Sequence, residues 1–126
     1  RESSERSLCV AAQPGAPLAS WTAAAALRCH RARGPRLVPQ PEVLVTDAFE
    51  QKRLRLRALR SVCAPVGLDG AEPASDELLA CYDAAQAPGE PAFRAPGVIA
   101  LATGVAAEEV TLRNGQRTVC VPAELR

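Results

Sequence analysis

Two stretches decide the fold: Thr46 to Pro65, TDAFEQKRLRLRALRSVCAP, and Thr103 to Pro122, TGVAAEEVTLRNGQRTVCVP. They align without a gap over 20 positions, and in each a threonine stands 17 residues before a cysteine. Both end in Arg-Ser/Thr-Val-Cys-x-Pro. Working outward, each is preceded by a β-branched run after a proline, from Pro41 and from Pro96. Further upstream stands a Leu-x-Cys opening, Leu27-Arg28-Cys29 and Leu79-Ala80-Cys81. Three landmarks in one order define a tandem repeat. Ser7-Leu8-Cys9 resembles the closing element, so Cys9 reads as the last cysteine of a preceding unit. The resulting organisation is an N-terminal segment 1–26 with the remnant of that unit, a first repeat 27–66, a linker 67–78 and a second repeat 79–126.

Within each unit the hydrophobic period is two. Val43 and Val45 alternate with Leu44 and Thr46, Leu54 and Leu56 with Arg53, Arg55 and Arg57, and Val110 and Leu112 with Thr111 and Arg113. That alternation is the mark of half-buried strands. The chain's 11 prolines and 8 glycines fall mainly between these runs, as strand-to-strand connections require. The expected fold class is all-β: two tandem, small antiparallel units, sandwich-like and disulfide-linked. Asn114-Gly115 between Val110–Arg113 and Gln116–Val121 predicts a two-residue hairpin turn. Trp21–Arg33, Glu50–Arg60 and Ser75–Gln86 have helix-forming composition, and Ser75 suits an N-cap. Short helices before Cys29 and Cys81 therefore stay open.

Composition excludes several functions. Lys plus Arg is 15 against 14 Asp plus Glu, a net charge of +1, without the basic excess of a nucleic-acid binder. Only Trp21, Phe49, Tyr82 and Phe93 are aromatic, too few for a base-stacking platform. The longest uncharged apolar stretch, Ala95–Ala107, is too short to span a bilayer and holds Pro96, Gly97 and Gly104. Residues 1–8 are polar and carry no signal peptide. One histidine and five cysteines without any Cys-x-x-Cys pair give no metal-site motif, and no cofactor is expected. Dispersed cysteines in so small a chain read as a disulfide framework in an oxidising, extracellular or cell-surface location.

The layout resembles a family of tandem repeats in secreted bacterial proteins of unknown function. In that pattern a hydrophobic-x-Cys-Tyr opening leads through a β-branched strand and a D-x-F-like turn to an alternating strand closed by Cys-x-Pro. The matching residues are Cys29, Asp47, Phe49, Leu54, Leu56, Cys63 and Pro65 in the first unit. In the second they are Cys81, Tyr82, Val110, Leu112, Cys120 and Pro122. His30 stands for the tyrosine in the first unit, and Gly104 and Ala106 depart from the turn in the second. The resemblance implies an extracellular β-rich module without assigned catalysis, and it carries over no active-site residue. Two disulfide arrangements are sensible. Pairing within units gives Cys29–Cys63 and Cys81–Cys120 and leaves Cys9 as an orphan or intermolecular thiol. Pairing across the linkers gives Cys9–Cys29 and Cys63–Cys81 and leaves Cys120. The first is favoured because it makes each unit self-contained.

Catalytic candidates are weak. His30 has no nucleophile or orienting acid near it in sequence, and Asp47 with Glu50, or Glu108 with Glu109, read as solvated turn charges. The chain is expected not to be an enzyme. Lys52, Arg53, Arg55, Arg57 and Arg60 form the one local concentration of charge, suited to an anionic glycan or an acidic protein, or to guarding a strand edge against aggregation. The leading expectation is a structural module of a bacterial surface or appendage protein, with itself or other surface proteins as partners, assembling into a filament by strand addition. The alternative is a binding module that uses strand 52–60.

Overall fold

The period-two runs pair as strands, with Val43 and Val45 in one, Leu54 and Leu56 in another and Val110 in a third that ends at Thr111, just before Leu112. The computed structural model describes residues 7–9, 12–14, 26–73, 75–103, 105–112 and 118–126. In chain order the strands are β1 (Ser7–Cys9), β2 (Ala12–Pro14), β3 (Leu27–Arg31), β4 (Glu42–Thr46), β5 (Gln51–Pro65), β6 (Leu78–Gln86), β7 (Val98–Thr103), β8 (Ala107–Thr111) and β9 (Thr118–Ala123). A six-stranded sheet runs β1-β3-β5-β6-β9 with β4 also on β5, and a three-stranded sheet runs β2-β7-β8. Every named pair is antiparallel.

β5 organises the larger sheet. At 15 residues it holds β4 along Gln51–Arg55 and β3 along Ser61–Pro65 on one edge, and β6 on the other. The opening and closing strands of both sequence repeats thus share one sheet, joined where the closing strand of the first meets the opening strand of the second, while β7 and β8 of the second repeat lie in the smaller sheet. Against β6, β5 carries one extra residue between Leu56 and Ala58 and another between Leu59 and Ser61. These bulges turn Arg57 and Arg60 out of the ladder. The Ala58 N–H at the first bulge is taken up by Asp83 Oδ1 at 3.0 Å.

Among the described residues there is no helix. The helical composition before Cys29 and Cys81 gives strands instead, β3 and β6, while residues 21–25 lie outside the described part. Ser75 Oγ does accept the Glu77 N–H at 3.3 Å, as an N-cap would, yet the chain goes on as β6. Intrinsic propensity is worth tenths of a kcal/mol per residue, and a ladder on both edges of β6 outweighs it. Glu50–Arg60 falls in β5 for the same reason.

The hairpin expected around Asn114-Gly115 is also replaced. The turn itself lies outside the described residues, but β8 pairs with β7 and β9 with β6, so β8 and β9 are not partners. The competing hairpin is β7–β8. Its turn is closed by the Thr103 N–H to Ala106 O bond at 2.8 Å, and Thr103 Oγ1 accepts the N–H groups of Val105 and Ala106 at 3.0 and 3.1 Å. The β4–β5 turn is built alike. The Asp47 N–H donates to Glu50 O at 2.9 Å, and Asp47 Oδ1 accepts from Phe49 and Glu50 at 2.7 and 2.9 Å. Thr103 thus does for the second unit what Asp47 does for the first.

Among the described residues the buried apolar ones are Ala26, Leu56, Ala58, Cys63, Cys81, Ala84, Ala87 and Ala102. Leu56 is the one large aliphatic side chain among them. So thin an apolar set among the described residues leaves much of their stabilisation to cross-links.

Candidate functional site

Antiparallel register decides where the sulfurs go. The Ala32 N–H donates to Arg60 O at 2.9 Å and the Val66 N–H to Ala26 O at 3.1 Å. Those bonds fix the hydrogen-bonded positions of the β3–β5 ladder, and Cys29 and Cys63 take the closer, non-hydrogen-bonded position between them. Their Cα atoms are 3.9 Å apart and a disulfide joins them. Cys81 and Cys120 face each other across β6 and β9 with Cα atoms 4.0 Å apart, joined in the same way. The within-unit pairing is therefore the one formed, and Cys9 is a free, exposed thiol.

The two disulfides are neighbours. Ser61 lies opposite Cys81 and Cys63 opposite Leu79, so Cys63 and Cys81 are diagonal across the β5–β6 ladder. Their Sγ atoms are 3.5 Å apart. The same register recurs at the other end, where Ser7 lies opposite Cys29 and Cys9 opposite Leu27. Since paired residues and residues two apart share a face, all five cysteines lie on one face of the sheet. There is one on each of β1, β3, β5, β6 and β9. Cys63 and Cys81, in the middle of the row, are buried (2% and 1% exposed), Cys29 is half-buried, and Cys9 and Cys120 at the ends are exposed.

This row floors a groove of about 620 Å³ whose other lining residues include Arg31, Arg33, Arg60, Ser61 and Thr118. A second depression of about 300 Å³ adjoins it through Arg33 and Arg60 and adds Arg36, Arg57 and Asp83. Five guanidinium groups thus rim two connected hollows. Arg60 reaches Asp83 at 3.4 Å, an exposed pair that adds little stability.

The basic run of β5 divides accordingly. Arg57 and Arg60, the two bulge residues, reach the arginine rim. Arg55 pairs with Glu42 at 3.4 Å away from it, and Arg53 is exposed beside β4. Lys52 belongs to the opposite face with Leu54 and Leu56. It is 5% exposed, and its Nζ lies 2.9 Å from Glu50 and 3.5 Å from Gln86 Oε1. Strand parity places it there. Arg31, Arg33 and Arg36 were not singled out in the sequence, although three arginines within six residues after His30 carried the signal. His30 alternates away from Cys29 onto the other face and is exposed, and Glu108 and Glu109 are exposed on β8.

Cys63, Cys81 and Cys120 bring three sulfurs within 4.8 Å of one another. All three are held in disulfides, which leaves no thiolate for a metal. No helix of the described residues is long and apolar enough to cross a membrane. In comparisons with protein-family models, curated proteins and solved structures, the chain matches none.

Proposed function

We propose that this chain is a non-enzymatic structural module of an oxidising, extracellular setting that assembles through its sheet edges. The observation that carries the reading is the repeated register. A closing strand, Ser-x-Cys, sits on an opening strand, Leu-x-Cys, both at β1–β3 and at β5–β6. β9 is a third closing strand, Thr118-Val119-Cys120, and its outer edge has no strand partner among the described residues. The complementary surface is β3 of a second copy. There β9, with six residues, offers a longer ladder than the three-residue β1 that β3 holds within its own chain. Such a contact is head-to-tail, and a head-to-tail contact whose rotation does not close into a ring propagates as a filament. Two disulfides support the oxidising location. The resemblance to secreted bacterial repeats points the same way.

Sedimentation of the oxidised chain over a wide concentration range tests the proposal. The expected result is a mass that climbs past the dimer. Because Cys81 and Cys120 form a non-hydrogen-bonded pair, the N–H groups of Thr118 and Cys120 point to the outer edge. Thr118→Pro removes one of them without breaking the β6–β9 ladder and should halt growth. A single monomer mass at every concentration refutes the reading.

A second reading rests on the arginine rim, which suits an anionic glycan or an acidic protein. Charge reversal at Arg33 and Arg57 should abolish retention on a sulfated polysaccharide without moving the melting temperature. Undiminished retention dismisses it.

A further inference from the structure

We infer that the five cysteines form an intramolecular thiol–disulfide relay that carries a free thiol from the β1 edge of the sheet to the β9 edge. The inference stands apart from the assembly reading, because every step occurs within one chain.

Three observations carry it. The sulfurs lie in one row on one face, one per strand, across β1-β3-β5-β6-β9. The two disulfides touch, with Cys63 Sγ 3.5 Å from Cys81 Sγ. Cys9 stands to Cys29 in the same diagonal register as Cys63 to Cys81, and it shares the groove with the other four cysteines.

The chemistry balances without any outside reagent. The Cys9 thiolate attacks Cys29 Sγ, the Cys9–Cys29 bond forms, and the Cys29–Cys63 bond breaks with its electron pair leaving on Cys63. Release from Cys29 lets Cys63 turn about χ1 and line up behind the Cys81–Cys120 bond. Its thiolate attacks Cys81 Sγ, the Cys63–Cys81 bond forms, and the Cys81–Cys120 bond breaks with its electron pair leaving on Cys120. Cys120 takes up a proton equivalent to the one Cys9 lost. Two disulfides and one thiol remain, so nothing is oxidised or reduced overall. The travelling charge is negative at each step, and Arg31, Arg33 and Arg60 line the same groove. The relay exchanges within-unit cross-links for between-unit ones and delivers an exposed, reactive sulfur to β9.

Pulse alkylation tests this. The oxidised full chain is held in mildly alkaline, oxygen-free buffer without added thiol and sampled with brief pulses of iodoacetamide. Cleavage at Glu72 and Glu77 separates Cys63 from Cys81 before mapping. Label should appear first on Cys9 and then on Cys120, reaching at least about a tenth of the total, because two disulfides exchange for two similar ones. The rate should not depend on protein concentration, and Cys9→Ser should abolish labelling of Cys120. Label confined to Cys9, or transfer that speeds up with concentration, overturns the relay. The double variant Cys9→Ser/Cys29→Ser isolates the inner step. Its single thiol should be shared between Cys63 and Cys120, and label on Cys63 alone refutes that step.

Discussion

Removing a cross-link should cost far more here than the apolar core can replace. The bridged positions have sequence separations of 34 and 39 residues. For closed loops of that size, the entropy denied to the unfolded chain places each disulfide at about 4 kcal/mol at 25 °C. Loops 29–63 and 81–120 do not overlap in sequence, so their effects on the unfolded ensemble add. Any departure from additivity then reports the contact between Cys63 and Cys81 in the native sheet. The two together amount to about 8 kcal/mol, against a typical total of roughly 5–15 kcal/mol for a domain. The buried apolar set of the described residues, five alanines, two half-cystines and Leu56, has little to set against that loss. The assay is urea unfolding followed by far-ultraviolet circular dichroism, in a Cys9→Ser background that blocks exchange. Cys29→Ala/Cys63→Ala and Cys81→Ala/Cys120→Ala should each lower the unfolding free energy by about 4 kcal/mol, with a larger m-value because the unfolded chain expands. The chain without either bridge should show no cooperative transition. A loss below about 1 kcal/mol per bridge, or a cooperative transition in the cysteine-free chain, would show that packing alone holds the sheet and would refute the reasoning.

Three further outcomes follow from the same contacts. Leu56→Ala should destabilise by roughly 2–5 kcal/mol, whereas Val38→Ala, at an 89% exposed position, should stay within about 0.5 kcal/mol; equal effects in a melting comparison would mean Leu56 is not a core anchor. Asp47→Ala and Thr103→Val should each cost about 1 kcal/mol by removing the acceptor for two turn N–H groups, read from urea midpoints, and a neutral Thr103→Val would break the equivalence of the two turns. Lys52→Met should be close to neutral, since a buried ammonium gains little beyond its desolvation penalty and the exposed fraction of Glu50 leaves that carboxylate hydrated; a loss above about 3 kcal/mol would contradict this.

What the sequence made legible was governed by local period and by repetition. Alternation in Leu54–Arg57 and Val43–Val45 identified strands because a strand's two faces meet different media. The Leu-x-Cys and Val-Cys-x-Pro landmarks located the ends of each disulfide. The hidden features depend on partners distant in the chain. Ala80, Ala84 and Ala85 favour helix in isolation and become strand because β5 and β9 offer ladders on both edges of β6. The gapless alignment set Thr103 against Thr46, whereas the turns match Thr103 with Asp47. A hydroxyl and a carboxylate one position apart perform the same capping, so identity matching missed the equivalence. The basic run looked like one charged face, but parity buries Lys52 and two bulges re-aim Arg57 and Arg60 toward arginines of the β3–β4 connection. Bulge positions are set by cross-strand fit, which no local pattern records.

The odd number of cysteines, which looks anomalous as a disulfide inventory, follows from the sheet. Each opening strand, β3 or β6, contributes one cysteine, and each closing strand, β1, β5 or β9, contributes one. A sheet that begins and ends on closing strands must hold one more closing than opening cysteine, hence five. Every interior sulfur then has two candidate partners. One lies directly opposite at a non-hydrogen-bonded position, and the other lies diagonally across the next ladder. The bonded set uses the opposite neighbours and leaves the surplus at β1; the alternative uses the diagonal neighbours and leaves it at β9. Neither set is forbidden by strand geometry, because diagonal positions on one face lie within reach of a side chain, and the 3.5 Å contact between Cys63 and Cys81 realises that reach. A tandem repeat that puts one cysteine on every opening and closing strand, along the path β1-β3-β5-β6-β9, therefore builds two interconvertible sets of cross-links. Which edge carries the thiol is then a matter of exchange and does not require refolding.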